Sequence, residues 1–118
     1  MTVREAIDWV DEVKPNSFPD AVKTGWLNRL EGQLAAEVFL MAPVEIEQLT
    51  LTDAGYELLV NPPYDDIYTL WLEAKIDEAN GEYNKYQNTM QIYNARLGDF
   101  VCWFAQTWDP AQGYRKEV

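Results

Sequence analysis

Apolar side chains recur every three or four residues along the second half of the chain, with no break in phase. The series comprises Leu72, Ile76, Ala79, Tyr83, Tyr86, Met90, Tyr93, Leu97, Phe100, Phe104 and Trp108. A period near 3.5 places them on one face of a helix. A single helix over residues 64–108 would be about 65 Å long, too long for a small domain to cover, so we expect a reversal within it.

Two polar positions could hold this reversal. One is Asn80-Gly81, and the other is the stretch from Gln87 to Thr89. We favour the second position, because Asn88 can cap a last helix that continues to about Thr107.

Two earlier helices are predicted from capping signals and apolar spacing. Thr2 and Glu5 have the spacing of a capping box, and a first helix should follow from about Val3 to Val13. Ser17 can cap a second helix, with a proline in its first turn, that runs to about Leu40. Its core stripe should contain Val22, Trp26, Leu27, Leu30, Leu34, Val38 and Met41, with Lys23, Asn28, Arg29, Glu31 and Glu37 on other faces.

The segment from Val44 to Val60 changes character, because its apolar residues alternate with polar ones. This pattern predicts a short hairpin or an ordered loop that leans on the helices or on a neighbouring subunit. Asp65 and Asp66 then precede the next helix, and we interpret both as N-terminal caps. A metal or substrate role for them would need further ligands that the sequence does not identify.

The predicted fold is therefore mostly α, a small helical bundle of about four helices with a short irregular or β-hairpin segment in the middle. At 118 residues, one domain is expected, over residues 1–108. Residues 109–118 form a predicted polar C-terminal tail or arm.

Catalytic chemistry finds little support in the composition. The chain has no histidine and no glycine-rich phosphate loop, which removes the usual general base, the Ser-His and Cys-His pairs and imidazole metal sites. Glu5 and Asp8 form one acidic pair at helical spacing, but a magnesium-dependent hydrolase would need a second. The remaining pairs, Glu73 with Asp77 and Glu78 with Glu82, are typical of solvated faces. We predict no enzyme activity, no cofactor and no metal site.

The formal charge of -11 and the pI near 4.2 disfavour tight binding of nucleic acid, because a basic footprint for phosphates is missing. No apolar run is long enough for a membrane span, and the N-terminus lacks the pattern of a signal peptide. We expect a protein that is cytoplasmic at synthesis, with no membrane partner.

Aromatic residues exceed what one small core needs, with five tryptophans and seven tyrosines. Such an excess favours protein interfaces, although core packing is the commoner role for any single ring. The residues proposed for a partner interface are Trp26, Tyr64, Trp71, Trp108 and Tyr114. The single cysteine, Cys102, lies among apolar residues and is expected to be buried and inert.

The chain also resembles a family of short prophage-encoded proteins of Gram-positive bacteria, similar to the head-tail connector, or adaptor, proteins of tailed phages. The likeness rests on the sequence from Leu58 to Tyr68, which contains Asn61-Pro62-Pro63-Tyr64, and it covers nearly the whole chain up to Trp108. Further matching segments are Ala74 to Asp77, Asn80 to Tyr83, Pro15-Asn16, Trp26-Leu27, Tyr86 to Met90 and Tyr93 to Ala95.

The resemblance implies a structural subunit whose copies form a ring under the portal, through which DNA passes. Its implied partners are the portal protein, head-completion or stopper or tail proteins, and further copies of itself. Its implied location is the virion, after a period in the bacterial cytoplasm. The alternative hypothesis is an acidic DNA-mimic inhibitor of a basic host protein, and a carboxylate-dependent enzyme ranks third.

Overall fold

A computed structural model of the chain describes the backbone of residues 1–47, 54–109 and 113–114, and the side chains of residues 1–46 and 54–107. The predicted helical bundle is confirmed. The described elements are α1 (Val3–Val13), α2 (Asp20–Glu37), α3 (Pro43–Glu47), α4 (Asp66–Ala79), α5 (Tyr83–Thr107), β1 (Trp108–Asp109) and β2 (Gly113–Tyr114).

The first helix has the predicted bounds and the predicted cap. The Thr2 hydroxyl accepts from the Glu5 N–H at 3.1 Å, and the Thr2 N–H donates to the Glu5 carboxylate at 3.0 Å. This capping box satisfies two backbone donors at the helix start. The apolar stripe is correct up to Val10, but Val13 is 53% exposed because the helix ends there beside solvent.

The second helix differs from the prediction at both ends and on its buried face. Its N-cap is Pro19, with no side-chain cap, so the assignment of Ser17 was wrong, and it ends at Glu37 instead of Leu40. Lys23 and Glu31, predicted to lie off the core stripe, are 2% and 0% exposed. Both are tolerated in the interior because other elements supply charged or hydrogen-bonding partners for them.

The middle segment contains α3 and then an extended stretch that pairs with the start of the chain. The N–H of Val3 donates to the Tyr56 carbonyl at 3.1 Å, and the N–H of Leu58 donates to the Met1 carbonyl at 3.0 Å. Leu58 and Val60 are buried, as their alternation indicates. The first residues of the predicted hairpin or loop, 44–47, are instead helical and belong to α3, and residues 48–53 lie outside the described residues.

The chain reverses at Asn80-Gly81, so the preference for Asn88 was wrong. The N–H of Gly81 donates to the Glu78 carbonyl and that of Glu82 donates to the Asp77 carbonyl, at 3.1 and 2.9 Å. This Schellman motif needs a residue with positive φ, and Gly81 has φ 75°. The strong local signal at Gly81 outweighs the capping tendency of Asn88, which lies inside the continuous helix α5.

The two aspartates at the start of α4 are its N-cap and its first residue, and neither acts as a side-chain cap. Asp65 occupies the N-cap position without a side-chain hydrogen bond, and it has helical backbone angles. Asp66 instead accepts from Arg96 of α5 at 2.9 Å. The carboxylate therefore joins the two helices of the α4–α5 hairpin, and its predicted capping role was wrong.

One hydrophobic core joins the four long helices and the extended stretch. α4 packs against α1, α2 and α5. The core residues are Val3, Ala6, Ile7, Val10, Leu27, Leu30, Leu34, Leu58, Val60, Ile67, Tyr68, Leu72, Ile76, Tyr93, Phe100 and Phe104. At the C-terminus, where a polar tail was predicted, β1 pairs antiparallel with β2, and residues 110–112 and 115–118 lie outside the described part.

Two glycines provide a matched test of the reversal, since a Cβ added at Gly81 or at Gly98 meets nothing within 4 Å. We expect Gly81→Ala to lower the free energy of unfolding by about 1 kcal/mol, because its φ is positive. Gly98→Ala, inside α5, should raise it by about 0.5 to 1 kcal/mol. Urea unfolding of both variants measures the two values, and a neutral or stabilising Gly81→Ala would contradict this account of the turn.

Candidate interaction surface

The two helices of the α4–α5 hairpin differ greatly in length. α4 has 14 residues and α5 has 25, which correspond to about 21 and 37 Å of helix. Because the helices run antiparallel from the turn at Gly81, the C-terminal part of α5 extends beyond the start of α4. Other parts of the chain pack against this overhang, the part of α5 after Arg96, but they leave some of its apolar surface exposed.

A groove of about 530 Å³ remains between the end of α2 and this overhang. From α5 it is lined by Val101, Phe104 and Ala105. From α2 and the residues after it, the lining comes from Glu37, Val38, Phe39 and Leu40, in which Glu37 is the one charged side chain among the described lining residues. The groove is therefore an apolar surface with a single acidic side chain.

A cluster of aromatic rings forms the base of the groove. The ring of Phe39 lies 4.8 Å from that of Phe104, edge to face, and 6.1 Å from that of Phe100. Tyr64 extends the cluster, with its ring 5.7 Å from Phe100 and 5.4 Å from Trp103. Such contacts hold large side chains in defined positions, so the groove is already formed in the free subunit.

Leu40 lies at the rim of the groove, and both the exposure of its side chain and its backbone conformation are unfavourable. Its side chain is 78% exposed, and its backbone has φ 54°, in the left-handed region that costs a non-glycine residue about 1 kcal/mol. The turn lets the Met41 N–H donate to the Ala35 carbonyl at 2.9 Å. Glycine or asparagine would make the same turn at lower cost, so the fold gives no reason for leucine here.

Most of the basic residues that the structure describes are paired with carboxylates of the same chain. Six basic residues lie 3.4 Å or less from a carboxylate oxygen, namely Arg4, Lys14, Lys23, Lys75, Lys85 and Arg96. Each such pair neutralises one carboxylate and one cation. The charge of -11 is therefore carried by surplus carboxylates that have no basic counterpart in the sequence.

The buried carboxylate of Glu31 connects three parts of the molecule. It accepts from the Tyr68 hydroxyl at 2.7 Å and from the Leu59 N–H at 2.9 Å. The same hydroxyl accepts from the Val60 N–H at 3.0 Å. Burial raises the pKa of Glu31, while these two hydrogen bonds lower it, and burial beside Glu31 raises the pKa of Tyr68. The arrangement is structural, because its polar atoms are occupied by one another and by the backbone.

A second buried carboxylate corrects another prediction. Asp77, predicted on a solvated face, is 1% exposed, and both its oxygens accept from the Lys14 ammonium at 2.7 Å. Burial also raises the pKa of the neighbouring Glu73 carboxyl, with Lys14 opposing it. The Lys14–Asp77 pair joins the end of α1 to α4.

The acidic pair at Glu5 and Asp8 is likewise engaged. Glu5 belongs to the capping box, where the backbone N–H and then the hydroxyl of Thr2 lower its pKa. Asp8 pairs with Arg4 at 2.7 Å. Among the described residues, no group of three or more His, Cys, Asp or Glu side chains is placed to hold a metal ion.

Three of the five aromatic residues proposed for an interface are half-buried and packed within the chain. The Trp26 carbonyl accepts from the Trp71 indole at 3.0 Å, and the Trp71 ring lies 5.4 Å from that of Tyr93. Tyr64 belongs to the cluster below the groove. The side chains of Trp108 and Tyr114 lie outside the described residues. Of the three whose side chains the structure describes, Tyr64 is the one that packs in the aromatic cluster under the groove.

Sequence reasoning missed the groove because it continued α2 to Leu40 and placed Val38 and Met41 on a core stripe. It was also wrong about Cys102, which is exposed on α5 beside Val101. One available signal was the run of four apolar residues from Val38 to Met41, since a helix of amphipathic period cannot bury all of them.

Comparison with protein-family models, with curated proteins and with solved structures gives no match for this chain. Within the described residues, no helix is both long and apolar enough to cross a membrane.

Leu40→Asn should make the protein more stable by about 0.5 to 1 kcal/mol, because asparagine tolerates positive φ and little apolar area is lost. Leu40→Ala is the control, since it shortens the side chain and keeps the backbone cost. Denaturant unfolding of both variants isolates the backbone contribution. Equal stabilities for the two variants would show that residue 40 is not under backbone strain.

Glu31→Gln should change how stability depends on pH. The raised pKa of Glu31 means that the folded state takes up a proton more readily than the unfolded state, whose carboxyl titrates near 4.5. Lowering the pH from neutral through the raised pKa of Glu31 should therefore stabilise the wild type relative to Glu31→Gln, with the full gain reached below the unfolded value. Parallel urea titrations at several pH values measure this difference. If the difference in the free energy of unfolding between the two proteins stayed constant with pH, Glu31 would not couple stability to pH.

Proposed function

We propose that the protein is a structural subunit of a tailed phage or prophage, a head-tail connector (adaptor) that forms a ring under the portal through which DNA passes. The observation that carries the proposal is the preformed apolar groove, with Leu40 held exposed at its rim. An exposed apolar side chain whose backbone conformation is costly for the free chain is suited to contact another protein. The family resemblance supplies the kind of assembly.

The ionisable groups in the interior support a structural role. Glu31, Asp77 and Lys23 each bond to groups of other elements, so they fix the positions of helices and loops. None of these three is among the described residues that line the groove, where a general acid or base would have to reach a bound substrate.

The surplus of carboxylates fits a ring that DNA traverses. A phosphate backbone is repelled by an acidic surface, so DNA can pass without adhering. The same charge also supports the second candidate, an acidic DNA mimic that occupies a basic host protein. The two differ at the groove, because a mimic presents carboxylates to its target, whereas an assembly subunit presents apolar contact area.

The proposal is tested in particles made by the parent prophage. Mass spectrometry of purified, DNA-filled virions should detect this polypeptide, and Val101→Asn in the groove should lower its incorporation about tenfold or more. Val13→Asn is the matched control, since Val13 is an exposed helical valine on α1, outside the groove lining.

Virions without the polypeptide would overturn the connector role. A pull-down in which the wild type captures a basic host protein in a salt-sensitive way, unaffected by Val101→Asn, would support the mimic instead.

A further inference from the structure

The groove has a chemistry that selects its occupant. Its lining is apolar except for Glu37, whose carboxylate accepts from the Gln33 side-chain amide at 3.3 Å. A complementary segment would place an apolar side chain against Phe104 and Val101 and a positive charge near Glu37. Because the whole chain is strongly acidic, a segment of the same charge would be repelled.

Basic segments are scarce in this protein. The described cations named above are paired with carboxylates of the same chain. The sequence contains one place where two basic residues are adjacent, Arg115-Lys116, preceded by Tyr114 and followed by Glu117 and Val118. Segment 114–118 therefore combines an aromatic anchor, two adjacent positive charges, one negative charge and an apolar residue, with a side-chain charge of +1.

We propose that the groove binds the C-terminal segment 114–118 of a neighbouring copy of this chain. The inference rests on the proposed function and names its copy-to-copy contact. A head-to-tail ring requires two different patches on each subunit, and the groove and the segment are two such patches. The basic pair of the segment, placed near Glu37 of the groove, offsets locally part of the repulsion between copies that each carry -11.

The contact is weak when it stands alone. A five-residue segment in a groove of this size buries far less than the roughly 1,200 to 2,000 Å² of a stable interface. Isolated subunits are therefore monomeric in dilute solution, and they associate when a template raises their local concentration. A covalent trap is needed to detect the contact between free copies.

Cys102 provides this trap, because it is exposed and adjacent to Val101 of the groove. The donor chain carries Cys102→Ser and Val118→Cys, and the acceptor is the wild type. Mixed in a glutathione redox buffer, they should form a Cys102-to-position-118 disulfide, identified by mass spectrometry. The control acceptor carries Cys102→Ser and Gln91→Cys, whose cysteine lies on the same face of α5, about 16 Å from position 102. The wild-type acceptor should react about tenfold faster.

Charge reversal tests the pairing. Glu37→Lys in the acceptor should slow the reaction, and Arg115→Glu with Lys116→Glu in the donor should restore it with that acceptor. Circular dichroism checks that each variant is folded. Equal rates for the two acceptor positions, or rates unaffected by charge reversal, would overturn the proposal.

A chain with Cys102 and Val118→Cys together distinguishes a neighbour's segment from its own. Intermolecular products should increase with concentration, whereas an intramolecular loop at every concentration would show that the segment covers its own groove, and would overturn the proposal. The assay needs no virion. If the disulfide forms but the protein is not incorporated into particles, only the connector role is refuted. If the protein is incorporated but the disulfide does not form, only this contact is refuted.

Discussion

The carboxylate of Glu31 is the interaction on which the arrangement of the core depends. It is fully buried, and it binds a side chain of α4 and the backbone of the extended stretch before that helix. A buried charge without partners would cost several kcal/mol, so α2, α4 and the stretch must meet in one relative position. Apolar contacts alone would permit several similar packings, whereas the hydrogen bonds select one.

This fixed position explains why the groove exists at all. α4 is held by α1 and α2 along its short length, and the longer α5 follows it in antiparallel orientation. The last turns of α5 therefore extend past the start of α4, and among the described residues Phe39 and Tyr64 pack their rings against them. The apolar face that α4 cannot cover becomes the candidate interaction surface, and the mismatch in helix length is its direct cause.

Periodicity and local capping chemistry predicted much of the fold. The bounds of α1, the end of α5 at Thr107 and the buried alternation at Leu58 and Val60 all follow from such short-range patterns. The errors arose where tertiary contacts decide. Lys23 and Asp77 are polar residues whose burial depends on partners distant in sequence, Asp11 and Lys14, and no periodicity reveals such pairing. The groove was missed for the same reason, since it depends on how far one helix extends beyond another.

Leu40 also has a meaning for comparing related chains. If folding alone governed that position, glycine and asparagine would replace leucine freely, because the backbone favours them. Retention of a large apolar residue there would then record selection for a binding partner and not for stability. Position 40 is thus a marker by which a lineage that has kept its partner can be distinguished from one that has lost it.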